Sequence, residues 1–184
     1  MSKWLNLRSS VRFALGLAVL LALAGCENKQ EKPKESAPPV WHFLDQNHQE
    51  LQLKGTGESL EILAKASMPA LIMILDLSPK NTAYIPLFNH LQAQFKEVHF
   101  LALLNKAYTQ EQIDNYAKTH KPHFALFNPM DQSPFAVAFK NRAWSLPYFL
   151  LYDKQGHLVQ TYRGVILEEM LAKDLQDLIE TERK

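Results

Sequence analysis

The stretch of sequence that decides the fold is Ser145-Leu146-Pro147-Tyr148-Phe149-Leu150-Leu151-Tyr152-Asp153-Lys154-Gln155-Gly156. Five consecutive apolar or aromatic residues follow the proline, and a polar turn that ends in glycine follows them. A second short run of strand-forming residues covers 158–162. Two such runs around a polar, glycine-containing turn are typical of a β-hairpin, so we predict an antiparallel pair of strands here.

The segment after this hairpin has the spacing of a helix. Apolar residues stand at 167, 170, 171, 175, 178 and 179. Residues three and four positions apart share one face of a helix, so we predict an amphipathic helix from Leu167 with these six residues on its buried face.

Upstream of the hairpin, the sequence contains a continuous apolar run of strand length at 70–75 and a second apolar strand candidate at 98–104. A strand without polar alternation is typical of the centre of an α/β sheet, where both faces are covered. Shorter strand candidates are the run at 123–127 and two runs around a polar turn, at 42–44 and 51–53.

Helix signals separate these strands. Ser78-Pro79 has the form of a helix start, and apolar residues at helical spacing continue to Phe95, with Pro86 predicted to kink this helix. Thr109-Gln110-Glu111-Gln112 has the form of a capping box. We also predict short helices at 59–66 and at 133–139. Strands that alternate with helices, followed by a hairpin and a helix, predict an α/β fold with a mixed sheet covered on both faces.

The quoted stretch resembles the thioredoxin superfamily in its proline, the apolar strand after it and the glycine. The resemblance continues beyond the stretch with a second strand, Gly164 and a final amphipathic helix. Pro147 stands where that family has its cis-proline. The leading hairpin and the additional elements at 109–139 resemble the TlpA/ResA branch. The resemblance covers about residues 41–180, and it implies a thioredoxin-like domain over 41–184 with an N-terminal hairpin and a TlpA-type insert.

The resemblance fails at the active site of that family. Alignment on Pro86 places the Cys-x-x-Cys motif on Ser78, Pro79, Lys80 and Asn81, so neither thiol is present. Thiol–disulfide exchange requires a thiolate that attacks a disulfide sulfur, and a serine hydroxyl cannot replace it. We therefore predict a redox-inactive domain without a catalytic residue.

The only cysteine, Cys26, ends the sequence Leu23-Ala24-Gly25-Cys26. A basic start with Lys3, Arg8 and Arg12 and an apolar run at 13–24 precede it, which is the pattern of a secretory signal. The apolar run is shorter than the roughly 20 residues of a membrane-spanning helix. The segment resembles bacterial lipoprotein precursors, which implies a signal peptide at 1–25, acylation of Cys26 and attachment to a membrane face outside the cytoplasm.

Residues 27–40 (ENKQEKPKESAPPV) are charged, contain prolines and have almost no large apolar side chains. We predict a flexible spacer over 26–40 that connects the lipidated cysteine to the domain. Without residues 1–25, the chain keeps 17 basic and 19 acidic residues, a formal net charge of −2. This charge, without a basic stripe, argues against nucleic acid as a partner.

Other chemistry has little support in the sequence. Ser78 has no Gly-x-Ser-x-Gly context and no histidine nearby in the chain, so a helix N-cap is its favoured role. His120 and His123 flank Pro122 and lack the i, i+4 spacing of a helical zinc pair. We predict no metal and no cofactor.

Our first hypothesis for the function is a binding or scaffold module that holds an extracytoplasmic protein or peptide. Its contact surface would comprise the turn at 78–81 and the segment Leu146-Pro147-Tyr148, rimmed by Tyr84 and Trp144. Relatives accept an extended chain beside the cis-proline, which is a strand-like mode of binding. Two alternatives stay open: an accessory subunit in periplasmic thiol–disulfide or cytochrome maturation, and a non-redox enzyme that uses Ser78.

Overall fold

The computed structural model describes residues 37–130 and 146–183. The signal peptide at 1–25, Cys26, most of the spacer, the helix predicted at 133–139 and Trp144 lie outside these residues. The domain boundaries at 25, 26, 40 and 41 therefore stay predictions. No helix in the described part of the chain is long and apolar enough to cross a membrane.

The described elements alternate as the sequence predicts. The strands are β1 (Val40–Leu44), β2 (Glu50–Gly55), β3 (Leu60–Ile62), β4 (Ala70–Leu75), β5 (His99–Leu104), β6 (Leu126–Pro129), β7 (Tyr148–Tyr152) and β8 (Leu158–Arg163). The helices are α1 (Pro79–Thr82), α2 (Ile85–Gln94), α3 (Gln110–His120) and α4 (Glu168–Glu182). The capping box at Thr109 is present, with the Thr109 hydroxyl accepting from the Gln112 N–H.

The strands form one mixed sheet in the order β3-β2-β1-β6-β5-β4-β7-β8. β4 pairs in parallel with β5 and antiparallel with β7, which confirms the predicted α/β class and the hairpin of β7 and β8. All residues of β4 and β7 are buried, as expected for central strands.

The two faces of the sheet are covered by different elements. On one face, Met73 and Phe149 pack in a cluster with the buried residues of α2, α3 and α4. On the other face, Ile72 and Tyr148 pack with Trp41, Phe43, Leu51, Leu53 and Leu60 from β1, β2 and β3. Among the described residues, apolar side chains of β1, β2 and β3 therefore cover this second face.

Two predicted elements differ from the structure in type or in bounds, and a third, the helix around Pro86, differs in its continuity. The helix predicted at 59–66 is wrong: Leu60–Ile62 forms β3, because it pairs with β2 and because the Leu60 N–H donates to the Gly156 carbonyl at 2.8 Å. Ala64, with φ 59°, ends any helical path there. The strand predicted at 123–127 begins at Leu126, where parallel pairing with Ala102 of β5 starts.

The helix around Pro86 is interrupted rather than kinked. α1 ends at Thr82, and α2 starts at Ile85 with Pro86 in its first turn. A proline is accommodated there because the N–H groups of the first turn have no partner within the helix. The interruption separates the turn at Ser78 from the long helix behind it.

Candidate functional site

The positions that the thioredoxin pattern assigns to the two cysteines lie at the carboxyl end of β4. Ser78 is the N-cap of α1, with an extended backbone, and its side chain makes no capping hydrogen bond. Pro79 and Lys80 are exposed, and Asn81 is only 1 % exposed. The side chain of Asn81 is therefore buried, whereas Ser78 is half-buried at the surface of the turn.

Asp76 holds this turn together through its carboxylate. Oδ1 of Asp76 accepts hydrogen bonds from the Asn81 side-chain amide at 2.6 Å and from the Ser78 N–H at 3.0 Å. The Asn81 N–H donates to the Ser78 carbonyl at 3.1 Å. Oδ1 of Asn81 is buried and accepts no hydrogen bond from a described residue. The turn from Ser78 to Asn81, with which the Cys-x-x-Cys motif aligns, is therefore closed by hydrogen bonds to the carboxylate of Asp76.

The same contacts determine the charge of Asp76. Burial on its own raises the pKa of this carboxyl, but hydrogen bonds from Ser78 and Asn81 and the positive charge of Lys106 outweigh it. The pKa of Asp76 is consequently below its usual value, and the group is ionised at neutral pH. An ionised, hydrogen-bonded carboxylate is suited to fixing a backbone turn and poorly suited to general acid chemistry.

Tyr108 forms a second layer beside the turn. Its hydroxyl accepts a long hydrogen bond from the Leu77 N–H, at 3.5 Å, and donates to Asn105 at 3.3 Å. The Asn128 side chain accepts from the Tyr108 N–H and donates to the Tyr108 carbonyl, both at 2.9 Å. Burial is the main reason that the pKa of Tyr108 is raised. These contacts join the ends of β4, β5 and β6.

The described surroundings of Ser78 include a carboxylate but no histidine. Its hydrogen bonds to described residues involve Asp76, Asn81 and Thr82. A nucleophilic serine needs a base that accepts its proton, and the lowered pKa of Asp76 makes this carboxylate a weak base. The non-redox enzyme alternative stays a prediction.

The segment at Pro147 lies at the start of β7. The Leu146–Pro147 peptide bond is cis, Leu146 is half-buried and Pro147 is buried. Tyr148, which we expected at the contact surface, is 1 % exposed and packs in the cluster with Trp41. Placing Tyr148 among the contact residues was therefore wrong, because β7 is a central strand and its first residue already points into the core.

Tyr84, expected as a rim residue, has a structural role on the other face. It is half-buried, packs against Phe149 with ring centroids 5.9 Å apart, and donates a hydrogen bond to the Gly164 carbonyl at 3.2 Å. This bond ties the turn region before α2 to the loop between β8 and α4.

That loop carries an exposed apolar surface that our sequence analysis missed. Val165 is 90 % exposed, Leu167 58 % and Met170 51 %. Leu167 and Met170 were wrongly assigned to the buried face of α4, which consists of Leu171, Leu175 and Ile179. Spacing alone does not separate the two sets, because Leu167 is also four residues before Leu171; Leu167 is exposed because it is the N-cap, with an extended backbone.

Leu146 belongs to a different surface, because it packs against the core cluster of Tyr148 and Trp41 on the other face of the sheet. Val165, Leu167 and Met170 follow one another closely in the chain at the start of α4, and we call these three residues the apolar patch. A chain segment that lies along the patch has apolar side chains to contact.

Metal chemistry has no visible basis in the described residues. Across 37–130 and 146–183, no three histidine, cysteine or acidic side chains are grouped as metal ligands. Three described histidines each pair with one carboxylate at the surface: His42 with Glu50, His90 with Glu168 and His157 with Asp153.

No protein-family model matches the chain. No curated protein matches it by sequence either. Solved structures do match. A thiol:disulfide interchange protein of the thioredoxin family from Chlorobium tepidum is 12 % identical, with a TM-score of 0.59, over 80 % of this chain and 98 % of that one.

Two further structures agree with this result. StoA from Bacillus subtilis is 13 % identical, with a TM-score of 0.55, over 75 % of this chain and 97 % of its own. The pneumococcal exposed lipoprotein thioredoxin Etrx1 from Streptococcus pneumoniae is 14 % identical, with a TM-score of 0.54, over 76 % of this chain and all of its own. The chain therefore has the thioredoxin-like fold of these proteins, while Cys26 is the only cysteine in its sequence.

Proposed function

We propose that the protein is a membrane-anchored lipoprotein whose thioredoxin-like domain binds an extracytoplasmic polypeptide without exchanging thiols. One observation carries the proposal: the turn of Ser78 and the buried Asn81, to which the sequence alignment assigns the dithiol positions, is closed around Asp76. A turn that is fixed by a carboxylate and an amide has no group that can form a mixed disulfide.

The apolar patch supports the choice of a polypeptide as the ligand. Apolar side chains of an extended chain can contact Val165 and Leu167, and Leu146 stays a predicted contact position before Pro147. Val165, with only a tenth of its surface covered, contributes little to the core in the described structure. Its apolar surface is therefore available for a partner.

The lipid anchor rests on the sequence around Cys26 and on one similar structure. Leu23-Ala24-Gly25-Cys26 follows a basic segment and a short apolar run. The pneumococcal protein of the same fold is itself described as an exposed lipoprotein. Two or more acyl chains anchor a protein stably, which a single chain does not achieve.

Binding is tested with a thiol-free unfolded polypeptide, such as S-carboxymethylated α-lactalbumin, added to the full chain in detergent micelles. Val165→Asp introduces a charge into the apolar patch, and we expect at least about fivefold weaker binding, or roughly 1 kcal/mol. Val159→Asp is the matched control, because Val159 is a 50 % exposed valine on β8 outside the patch. Equal binding by both variants would contradict the proposed surface.

The anchor is tested separately with Cys26→Ser. Cells that are supplied with an alkyne analogue of palmitate should label the wild-type protein and not the variant. Membrane association by itself does not decide the question, because an uncleaved signal peptide also retains a protein at the membrane. Labelling of the Cys26→Ser protein would contradict acylation at this residue.

A further inference from the structure

The methionines of the described structure differ widely in exposure. Met73 is fully buried in β4, and Met68 is half-buried. Met130, directly after β6, is 53 % exposed, and Met170 in α4 is 51 % exposed. Oxidants reach a methionine sulfur through the solvent, so its reactivity follows its exposure. Met130 and Met170 are therefore the described methionines that we expect to be oxidised.

Met170 is also part of the apolar patch. It lies in the first turn of α4, where its N–H donates to the Leu167 carbonyl at 3.2 Å. It belongs to neither of the two core clusters, and the buried face of α4 consists of Leu171, Leu175 and Ile179. A chemical change of the Met170 side chain therefore alters the patch and leaves the packing of α4 against the sheet in place.

Oxidation of Met170 by a peroxide would change the polarity of the patch. The thioether sulfur attacks one oxygen of hydrogen peroxide, the O–O bond breaks, and the products are the sulfoxide and water. The sulfur is oxidised and the peroxide is reduced in this step. A flexible apolar side chain thereby becomes a polar one that carries a hydrogen-bond acceptor.

The sulfoxide oxygen would have no hydrogen-bond donor among the other side chains of the patch. Val165 and Leu167 are apolar and cannot donate to it. Water satisfies this oxygen in the free protein, but an apolar ligand segment that covers the patch would remove that water. A polar group that loses water without gaining a partner opposes binding. Met130 lies outside the patch, so its oxidation should not have this effect.

We propose that Met170 is an oxidation site through which peroxide controls polypeptide binding at the apolar patch. The inference rests on the proposed function, because it concerns the same surface. Oxidation releases the polypeptide, and a methionine sulfoxide reductase restores binding. In that reverse step, a dithiol takes up the oxygen as water and becomes a disulfide. The dithiol belongs to a separate protein, because Cys26 is the only cysteine of this chain.

Binding before and after oxidation tests the inference. The full chain in detergent micelles is treated with hydrogen peroxide, catalase removes the oxidant, and S-carboxymethylated α-lactalbumin is then added. Peptide mass mapping locates each sulfoxide. We expect at least about fivefold weaker binding by the oxidised protein than by its own untreated sample. Met170→Leu should lose no binding on treatment. Met130→Leu, the matched control at a similarly exposed position, should lose as much as wild type.

Protection by the ligand gives a second readout. A saturating amount of the polypeptide should slow the oxidation of Met170 several-fold and leave the rate at Met130 unchanged, because only Met170 is covered. Thermal unfolding followed by circular dichroism should give the same midpoint before and after oxidation of Met170, since this residue is outside the core clusters. A loss of binding then reports the patch and not the fold.

Three results would overturn the inference. The first is unchanged binding by wild type in which Met170 is oxidised. The second is an equal loss of binding in Met170→Leu, which would place the effect at another residue. The third is a Met170 that does not react under conditions that oxidise Met130. A failure of the untreated protein to bind is a different result: it contradicts the proposed function itself and, with it, the regulation inferred from it.

Discussion

The side-chain amide of Asn81 donates a 2.6 Å hydrogen bond to the carboxylate of Asp76, across the turn where the thioredoxin pattern has its two cysteines. The bond joins a buried residue to a half-buried one. It substitutes a local, charge-assisted contact for a reactive pair of sulfurs. The turn is thus fixed by hydrogen bonds and contains no sulfur atom.

The first prediction concerns the strength of that contact. Asn81→Ala removes a hydrogen bond to a charged acceptor at a buried position, so we expect the free energy of unfolding to fall by about 1–3 kcal/mol. Chemical denaturation of the full chain measures it. Gln94→Ala removes an exposed amide from α2 and should change stability by less than about 0.5 kcal/mol. An Asn81→Ala protein as stable as this control would mean that the turn does not depend on Asn81.

The second prediction follows from the lowered pKa of Asp76. A carboxyl with a lower pKa in the folded state stabilises the protein above its unfolded pKa, near 4, and this contribution disappears as the pH falls through the folded pKa. Wild type should therefore exceed Asp76→Asn in unfolding free energy at pH 7, and the difference should shrink toward pH 3. A difference that is independent of pH would contradict an ionised Asp76 in this role.

The third prediction concerns a contact between β8 and α4. The Tyr162 hydroxyl donates to Asp174 at 2.7 Å, and burial, followed by that hydrogen bond, raises the pKa of Tyr162 well above its usual value. Tyr162→Phe should lower the unfolding free energy by about 1–3 kcal/mol at pH 7.

The pH dependence of that contact has the opposite sign from that of Asp76. A raised pKa in the folded state means that the contribution is complete below the unfolded pKa, near 10, and declines as the pH rises above it. The difference between wild type and Tyr162→Phe should thus be constant from pH 6 to 9 and fall beyond pH 10. Tyrosinate absorbance provides a check: below pH 12, folded wild type and Tyr162→Phe should titrate the same number of tyrosines.

The fourth prediction compares two glycines with a similar backbone. Gly156 and Gly164 have φ values of 83° and 78°. A Cβ on Gly156 would lie 2.1 Å from the Leu60 carbonyl oxygen, whereas a Cβ on Gly164 would meet no described atom within 4 Å. Gly164→Ala should cost about 1–2 kcal/mol from the left-handed backbone alone. Gly156→Ala should cost about 3 kcal/mol or more, and equal costs in thermal or chemical denaturation would contradict the contact with β3.

The sequence predicts the central part of the fold well. The run at 70–75 is apolar throughout, the run at 98–104 is apolar except for His99, and both become strands that are covered on both faces. Thr109 and Gln112 define the start of α3 by local chemistry alone. Such signals depend on neighbouring residues, so no knowledge of the tertiary structure is needed to read them.

The predictions are wrong where contacts between elements determine the secondary structure or the burial of a residue. Leu60 becomes part of β3 because it pairs with Gly55 of β2 and donates its N–H to the carbonyl of Gly156. Gly156 lies far along the chain, so neighbouring residues do not reveal this contact. Tyr148 is aromatic and adjacent to Pro147, which suggested a surface role, but its position between β4 and β8 buries it. The exposure of Val165 depends on packing and leaves no pattern in the sequence.

Site-specific photo-crosslinking tests the central claim most directly, namely that this thioredoxin-like domain holds a polypeptide without thiol chemistry. A benzophenone amino acid replaces Val165 in one full-length protein and Val159 in another, and each is irradiated with S-carboxymethylated α-lactalbumin. We predict crosslinks at 165, little at 159, and no change when a reductant is present. Equal crosslinking at both positions, or capture that requires a free thiol on the polypeptide, would contradict the account.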